Sequence, residues 1–267
     1  MSDSKPQTVL AVDTVGSSLA ASLSYQGMIF QRTTLSRKHA NHLTPLISTL
    51  CDSAGIVPDN IDQLAVNVGP GPFTGLRVGL AYVRGLAHAL SCPVIPITHS
   101  ALLAHHAMRY VGNQDIPCQH IATLIDARLG QVYFSVYSAR NGLIDLHTSD
   151  CILDYDQVPD LRNFHHCVTA GDDWQILADQ LPTECSLIPH ITAVSLDDMR
   201  DFDAEPLVDC HKLTAMTRAT SMLLMIEMLQ EQGQLDRVDA ESLSPLYVRH
   251  NVAKKTIDRD SSNPNSA

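Results

Sequence analysis

Two features of the sequence have the residue types and spacing for chemistry. Residues 8–13, Thr-Val-Leu-Ala-Val-Asp, form a short β-branched run that ends in an acid, Asp13. Such an acid can serve a site, or it can simply close a turn. The block Gly69-Pro70-Gly71-Pro72-Phe73-Thr74-Gly75 lies between a strand pattern and a helix pattern. There, free helical N–H groups and the helix dipole can receive an anion. The literal phosphate motifs fail, however. Gly75 is followed by Leu76-Arg77 rather than by Lys-Ser or Lys-Thr, and the third glycine comes one residue late for G-x-G-x-x-G. The block therefore reads either as an anion cradle or as a tight turn of glycines and prolines.

Thirteen histidines invite a metal reading. His39-x-x-His42 could share a helix face, but without a third ligand the spacing suits surface or cap chemistry better. His105-His106 and His165-His166 are adjacent pairs, and neighbours on a helix point about 100° apart, which rarely suits one ion. Neither H-E-x-x-H nor a G-x-S-x-G elbow occurs. The seven cysteines (51, 92, 118, 151, 167, 185 and 210) form no C-x-x-C pair. Reduced, mostly buried thiols follow, and a zinc ribbon does not.

These residues need elements to hold them. The pattern predicts three opening strands over residues 8–13, 19–25 and 28–35, with Gln26-Gly27 closing a hairpin. A helix belongs within 37–54, with Leu43, Leu46, Ile47, Leu50 and Ala54 on one stripe. Either Thr44-Pro45 begins it as N-cap and N1, or an earlier helix kinks at that point. A strand over 61–68 precedes the glycine block, and a helix over 76–90 follows it. A strand over 93–97 and a helix over 100–110 complete an α/β layered first lobe. Residues 121–125 and 132–137 read as hairpin strands, 145–213 as loop-rich with short apolar runs at 151–153, 167–170 and 185–188. A helix over 214–232 would be capped by Thr214 and stopped by Gly233. We expect an N-terminal lobe of 1–110 joined by the returning helix 214–233, a C-terminal lobe of 111–213, and a disordered tail over 254–267.

Composition narrows the function classes. Of 267 residues, 45% are hydrophobic and 18% charged, which supplies a core and excludes a disordered chain. The net charge of −11 argues against holding nucleic acid by phosphate neutralisation alone. No apolar run reaches the roughly 18 residues of a membrane span, and no signal peptide is evident, so a cytoplasmic protein is expected.

Four segments in order resemble the bacterial TsaB (YeaZ) family. They are Leu10-Ala11-Val12-Asp13-Thr14, the block from Gly69 through Phe73-Thr74-Gly75-Leu76-Arg77 to Gly79, Ile125-Asp126-Ala127-Arg128-Leu129-Gly130-Gln131-Val132-Tyr133, and Ser244-Pro245-Leu246-Tyr247-Val248-Arg249. The second is the most specific. Pro72 stands where the family usually has Ser, and Gln131 where it has Glu. The resemblance implies an α/β, actin-like/Hsp70-like (ASKHA) fold of two related lobes. It implies a non-catalytic subunit in threonylcarbamoyladenosine synthesis on tRNAs that read codons starting with A. The implied partners are the catalytic paralogue TsaD, the small ATPase TsaE and a second copy of the chain; tRNA would be met only through the complex. ATP and metal would then sit on the partner subunits, with no cofactor here.

The same resemblance sharpens two residues. ASKHA ATPases place an acid near the metal–phosphate site at the end of the first strand, where Asp13 stands, and Asp126 is the nearest candidate for the second acid. Asp126 also precedes Arg128, which could hold it in a local salt bridge. The paralogue holds its metal with H-x-x-x-H on a helix. His99 matches the first histidine, but the second position is Leu103, so no metal site is expected. The alternative is a stand-alone ASKHA kinase of small molecules using Asp13 and the Gly69–Gly75 loop. For the accessory subunit, the candidate interface is His39, Leu43, Ile47 and Leu50 with Val78, Ala81, Tyr82 and Gly85. Ala81, Gly85 and Ala89 recur every four residues, leaving a smooth ridge that either docks a helix or faces the protein's own sheet.

Overall fold

β1 (Val9–Asp13) is buried along its whole length and forms the middle of the first sheet. It pairs antiparallel with β2 (Ser18–Tyr25), which turns into β3 (Met28–Leu35), and parallel with β4 (Gln63–Asn67). β5 (Val94–Ile97) adds parallel to β4, giving the order β3-β2-β1-β4-β5. Strand alternation sorts the side chains. Leu10, Val12, Leu19, Ala21 and Leu23 pack towards α1 (His39–Ala54) and α2 (Phe73–Leu90), while Val9, Ala11 and Ala20 join the core on the other face. The computed structural model describes residues 7–15, 18–35, 39–113, 116–140, 142–171, 190–192 and 217–248.

The second sheet repeats the first. β6 (His120–Arg128), β7 (Gln131–Arg140) and β8 (Leu143–Asp154) form an antiparallel meander. β9 (Cys167–Gly171) then adds parallel to β6, and β10 (His190–Thr192) parallel to β9. The order β10-β9-β6-β7-β8 is the first sheet's connectivity over again, with each first strand between its second and fourth. The molecule is thus an α/β protein with the doubled, two-lobed ASKHA architecture.

Between the sheets lie two helices. α3 (His99–Asn113) packs on β6, β8 and β9, and α4 (Arg218–Glu231) packs on β1 and β2; the helices also touch each other. Every residue from Ala219 to Ile226 is buried, as a helix enclosed on all sides must be. Its N-terminus is fastened by polar side chains: the Thr217 hydroxyl accepts the Thr220 N–H at 3.1 Å, and Gln31 Oε1 accepts the Thr217 N–H at 3.1 Å. None of the described helices is long and apolar enough to cross a membrane.

Several elements differ from the sequence reading for identifiable reasons. α2 begins at Phe73, not Leu76, so Phe73-Thr74-Gly75 is a first helical turn behind Pro72 rather than a loop. α1 begins at His39 and carries Pro45 inside it on an exposed position, the earlier of the two starts that the sequence leaves open. The cap of α4 is Thr217; Thr214 lies outside the described residues, as do the run at 185–188 and the 254–267 tail. The twelve-residue β8 falls in the stretch expected to be loop-rich. Its pairing with β7 shifts register twice, between Phe134 and Val136 and between Val136 and Tyr137, which erases the period-2 pattern.

One buried group in this inter-sheet layer sets a pH dependence. His105 of α3 is 2% exposed, and its Nδ1 has no hydrogen-bond partner among the described residues. Burial first, then the nearby Arg109 and His106 charges, push its pKa down to about 3. The unfolded imidazole titrates near 6.5. The unfolded chain therefore binds the extra proton first, and the contribution of neutral His105 is full above about pH 6.5 and is lost as pH falls towards 3. Denaturant titrations at pH 7, 6 and 5 should show a loss approaching about 1.4 kcal/mol per pH unit below 6.5. His105→Leu should flatten that slope; an unchanged slope would contradict the assignment.

Candidate functional site

Asp13 is fully buried where β1 ends. Its Oδ1 accepts the Val15 N–H at 2.7 Å, and its Oδ2 accepts the Arg218 Nε–H at 2.7 Å. Arg218, at the first turn of α4, also donates to the Val15 carbonyl. Asn67, the last residue of β4, extends the network. Its Oδ1 accepts the Gly69 N–H at 3.0 Å, which fixes the amide so that Nδ2 donates to His99 Nδ1 at 2.9 Å. His99 is fully buried, and its Nδ1 accepts there, which leaves the imidazole proton on Nε2. The negative charge of Asp13 is thus met in place by a guanidinium. A metal ion with bound phosphate would have to displace Arg218 to reach this carboxylate.

Asp126 is engaged in its own turn. Its Oδ1 accepts the Arg128 N–H at 2.8 Å, and Arg128 Nη1 lies 3.0 Å from its Oδ2.

The glycines of the 69–79 block have a packing reason. A Cβ on Gly79 would run into the Thr14 hydroxyl, and one on Gly71 would come within 2.7 Å of Val15 Cγ1. The Thr14 hydroxyl in turn donates to the Gly75 carbonyl at 2.8 Å. The block therefore lets α2 close onto the turn after β1. Gly79→Ala must push Thr14 aside within this packed region, at a cost of about 1–3 kcal/mol. Gly85→Ala is the control: nothing lies within 4 Å of its added Cβ. That change should be neutral or stabilise by up to about 1 kcal/mol through helix propensity. Thermal melts of the two variants check both; equal melting points would reject the close-approach role of Gly79.

The candidate interface residues divide in two. Leu43 and Leu50 are fully buried and Ile47 is 3% exposed, all in the core between the first sheet and its helices, so these three are corrected from interface to core. The wide stripe on α1 is filled by its own sheet. Val78 and Tyr82 are half-buried against the same core, and Tyr82 Oη accepts the Thr44 hydroxyl at 3.3 Å. His39 opens α1. Ala81, Gly85 and Ala89 are exposed, so the small-residue ridge points away from the sheet. Of the motif block, Gly69, Pro70 and Gly75 are buried, Gly71 is half-buried, and Phe73, Thr74 and Arg77 are exposed. Leu103 is 2% exposed in the core beside buried His99. Among the described residues, no group of three or more His, Cys, Asp or Glu side chains could hold a metal ion.

Sequence reasoning missed three polar residues of this region. Arg218 lies 205 residues from Asp13, and nothing local in sequence announces the pair. Asn67 could have been found as the polar end of an apolar strand just before the glycine block. Asp150 of β8 accepts hydroxyl hydrogen bonds from Ser100 and Ser135, each at 3.0 Å, joining α3 to the second sheet. Burial raises its pKa above the usual carboxylate value.

Comparison with known proteins places this geometry in context. A family profile described as "TsaD: tRNA N6-adenosine threonylcarbamoyltransferase" matches residues 24–256. The tRNA threonylcarbamoyladenosine biosynthesis protein TsaB of Escherichia coli is 27% identical over 255 residues, covering 93% of this chain and 97% of that protein. The protein of the same name from Haemophilus influenzae is 34% identical over 129 residues, covering 48% of this chain and 52% of its own length. Among solved structures, YeaZ from Pseudomonas aeruginosa superposes with a TM-score of 0.68 at 27% identity, covering 91% of this chain and all (100%) of that one.

Proposed function

Since the chain belongs to the TsaD-like family, and within it to the TsaB (YeaZ) group, we propose that it serves threonylcarbamoyladenosine biosynthesis on tRNA as an accessory subunit. In this reading it activates and positions a TsaD-like catalytic paralogue and works with a TsaE-like ATPase. ATP and metal then belong to those partners. The observation that carries the accessory role is the Asp13–Arg218 pair: the acid that a nucleotide enzyme of this fold would turn to its metal is here bonded within the chain. The exposed Ala81/Gly85/Ala89 ridge supports docking by a helix from the catalytic paralogue or a second copy.

Mass spectrometry of digested tRNA tests the reading. A strain lacking the gene should lose threonylcarbamoyladenosine, and the plasmid-borne chain should restore it. Steady phosphate release by the purified chain with ATP and magnesium would favour the kinase alternative instead. Binding of tRNA by the chain alone at about 150 mM salt should be weaker than micromolar, because the −11 charge repels a polyanion. Adding the catalytic paralogue should tighten it.

A further inference from the structure

Phe73 and Tyr247 are large aromatic side chains left 50% and 51% exposed, with ring centroids 6.0 Å apart at 47°. The Arg77 guanidinium carbon lies 3.7 Å from the Phe73 ring centroid. The three residues come from two distant sequence blocks, and backbone contacts bring them together. The Leu246 N–H donates to the Val68 carbonyl at 2.8 Å, and Arg84 of α2 donates to the Leu243 carbonyl. The cluster therefore sits on a braced surface and not on a loose end.

Its charge has no carboxylate partner among the described residues, and α2 contains no Asp or Glu. This is notable in a chain of net charge −11. A guanidinium stacked on a ring keeps its N–H edge open for a bidentate carboxylate, and the stack restricts its rotamers before any partner arrives. Phe73 and Arg77 are also the first members of an i+4 series with Ala81, Gly85 and Ala89, all exposed. A helix laid along the small residues would run onto the cluster.

We propose that Phe73, Arg77 and Tyr247 form an anchor that takes an acidic side chain from a helix of a different protein, not from a second copy of this chain. The proposal rests on the accessory-subunit reading and adds the partner's chemistry. Charge complementarity decides the occupant. In a twofold contact this α1–α2 surface would meet itself, and the two helices together offer a single acid, Asp52, near the C-terminal end of α1. An RNA phosphate would satisfy Arg77, but the overall charge opposes it, and the adjoining alanines and glycine suit a close helix.

Titration calorimetry of the full chain against the catalytic paralogue tests this, with sedimentation of the chain alone alongside. Phe73→Ala, Tyr247→Ala and Arg77→Glu should each weaken the heteromer about tenfold or more while melting and self-association stay unchanged. Added salt should weaken the parent complex more than that of Arg77→Gln, and an acid-to-lysine change on the partner should restore binding to Arg77→Glu. Parent-level binding by all three variants would overturn the anchor, as would an equal loss of self-association. Loss of single-stranded RNA binding without loss of the heteromer would also overturn it and point to RNA. Failure of the unaltered chain to bind the paralogue would sink the accessory reading itself.

Discussion

Arg218→Met should lower stability by about 3–5 kcal/mol, because it strands the Asp13 carboxylate in a fully buried position. For a chain of this size, that corresponds to a fall of roughly 10 °C in melting temperature. The Asp13→Asn variant should lose a similar amount, since it leaves a 12%-exposed guanidinium without its counter-charge. The double variant should recover much of the loss. Replacing both members of a buried pair removes two desolvation costs together with one attraction. The cycle therefore measures coupling between β1 and α4, whose contact closes the first sheet's inner face. If Arg218→Met melts within about 2 °C of the parent, the pair carries no such weight, and the accessory reading loses its main support. The same variant bears on function. With the guanidinium gone, the carboxylate is open to a cation, so a gain of magnesium-dependent ATP binding would mean that one arginine separates this lobe from a nucleotide site.

How far the sequence discloses this arrangement depends on whether the information is local. The meander of β1 to β3 and the strand–helix alternation to α3 are legible because each stretch carries its own period and turn residues. β8 was not legible, because two register shifts break its alternation. The start of α2 was obscured by Gly75 and by two prolines just upstream, all of which read as loop. The glycine block shows the limit most clearly. Spacing left an anion cradle and a tight turn both open. The packing reason for two of its glycines lies in Thr14 and Val15, some sixty positions earlier in the chain, which crowd Gly79 and Gly71 only after folding. Arg218 and Tyr247 were illegible for the same reason: each acts through a residue far away in sequence.

The apolar stripes of the two outer helices show how a pattern can point to the right elements and the wrong side chains. Leu43, Ile47 and Leu50 looked available to a partner, but the first sheet consumes them. What remains free is the small-residue ridge of α2. Ala81→Arg and Gly85→Arg should therefore cut complex formation at least about thirtyfold, the loss that goes with roughly 2 kcal/mol at a well-packed contact. Both positions are exposed, and Gly85 has open space beyond its Cα, so circular dichroism and melting should stay near those of the parent. Tyr82→Ala is the less clean probe. Its ring packs on the core and its hydroxyl bonds Thr44, so any loss of binding would be mixed with a loss of stability. Arginine is the sharper choice because its bulk blocks close helix approach, while its charge alone would favour an acidic partner. Charge alone is separated from bulk by Gly85→Leu, which should weaken binding almost as strongly if approach distance is what matters. If both arginine variants fold and bind at parental strength, the ridge is not the docking surface. The exposed face of α1 around Asn41, Ser48 and Asp52 then becomes the next candidate.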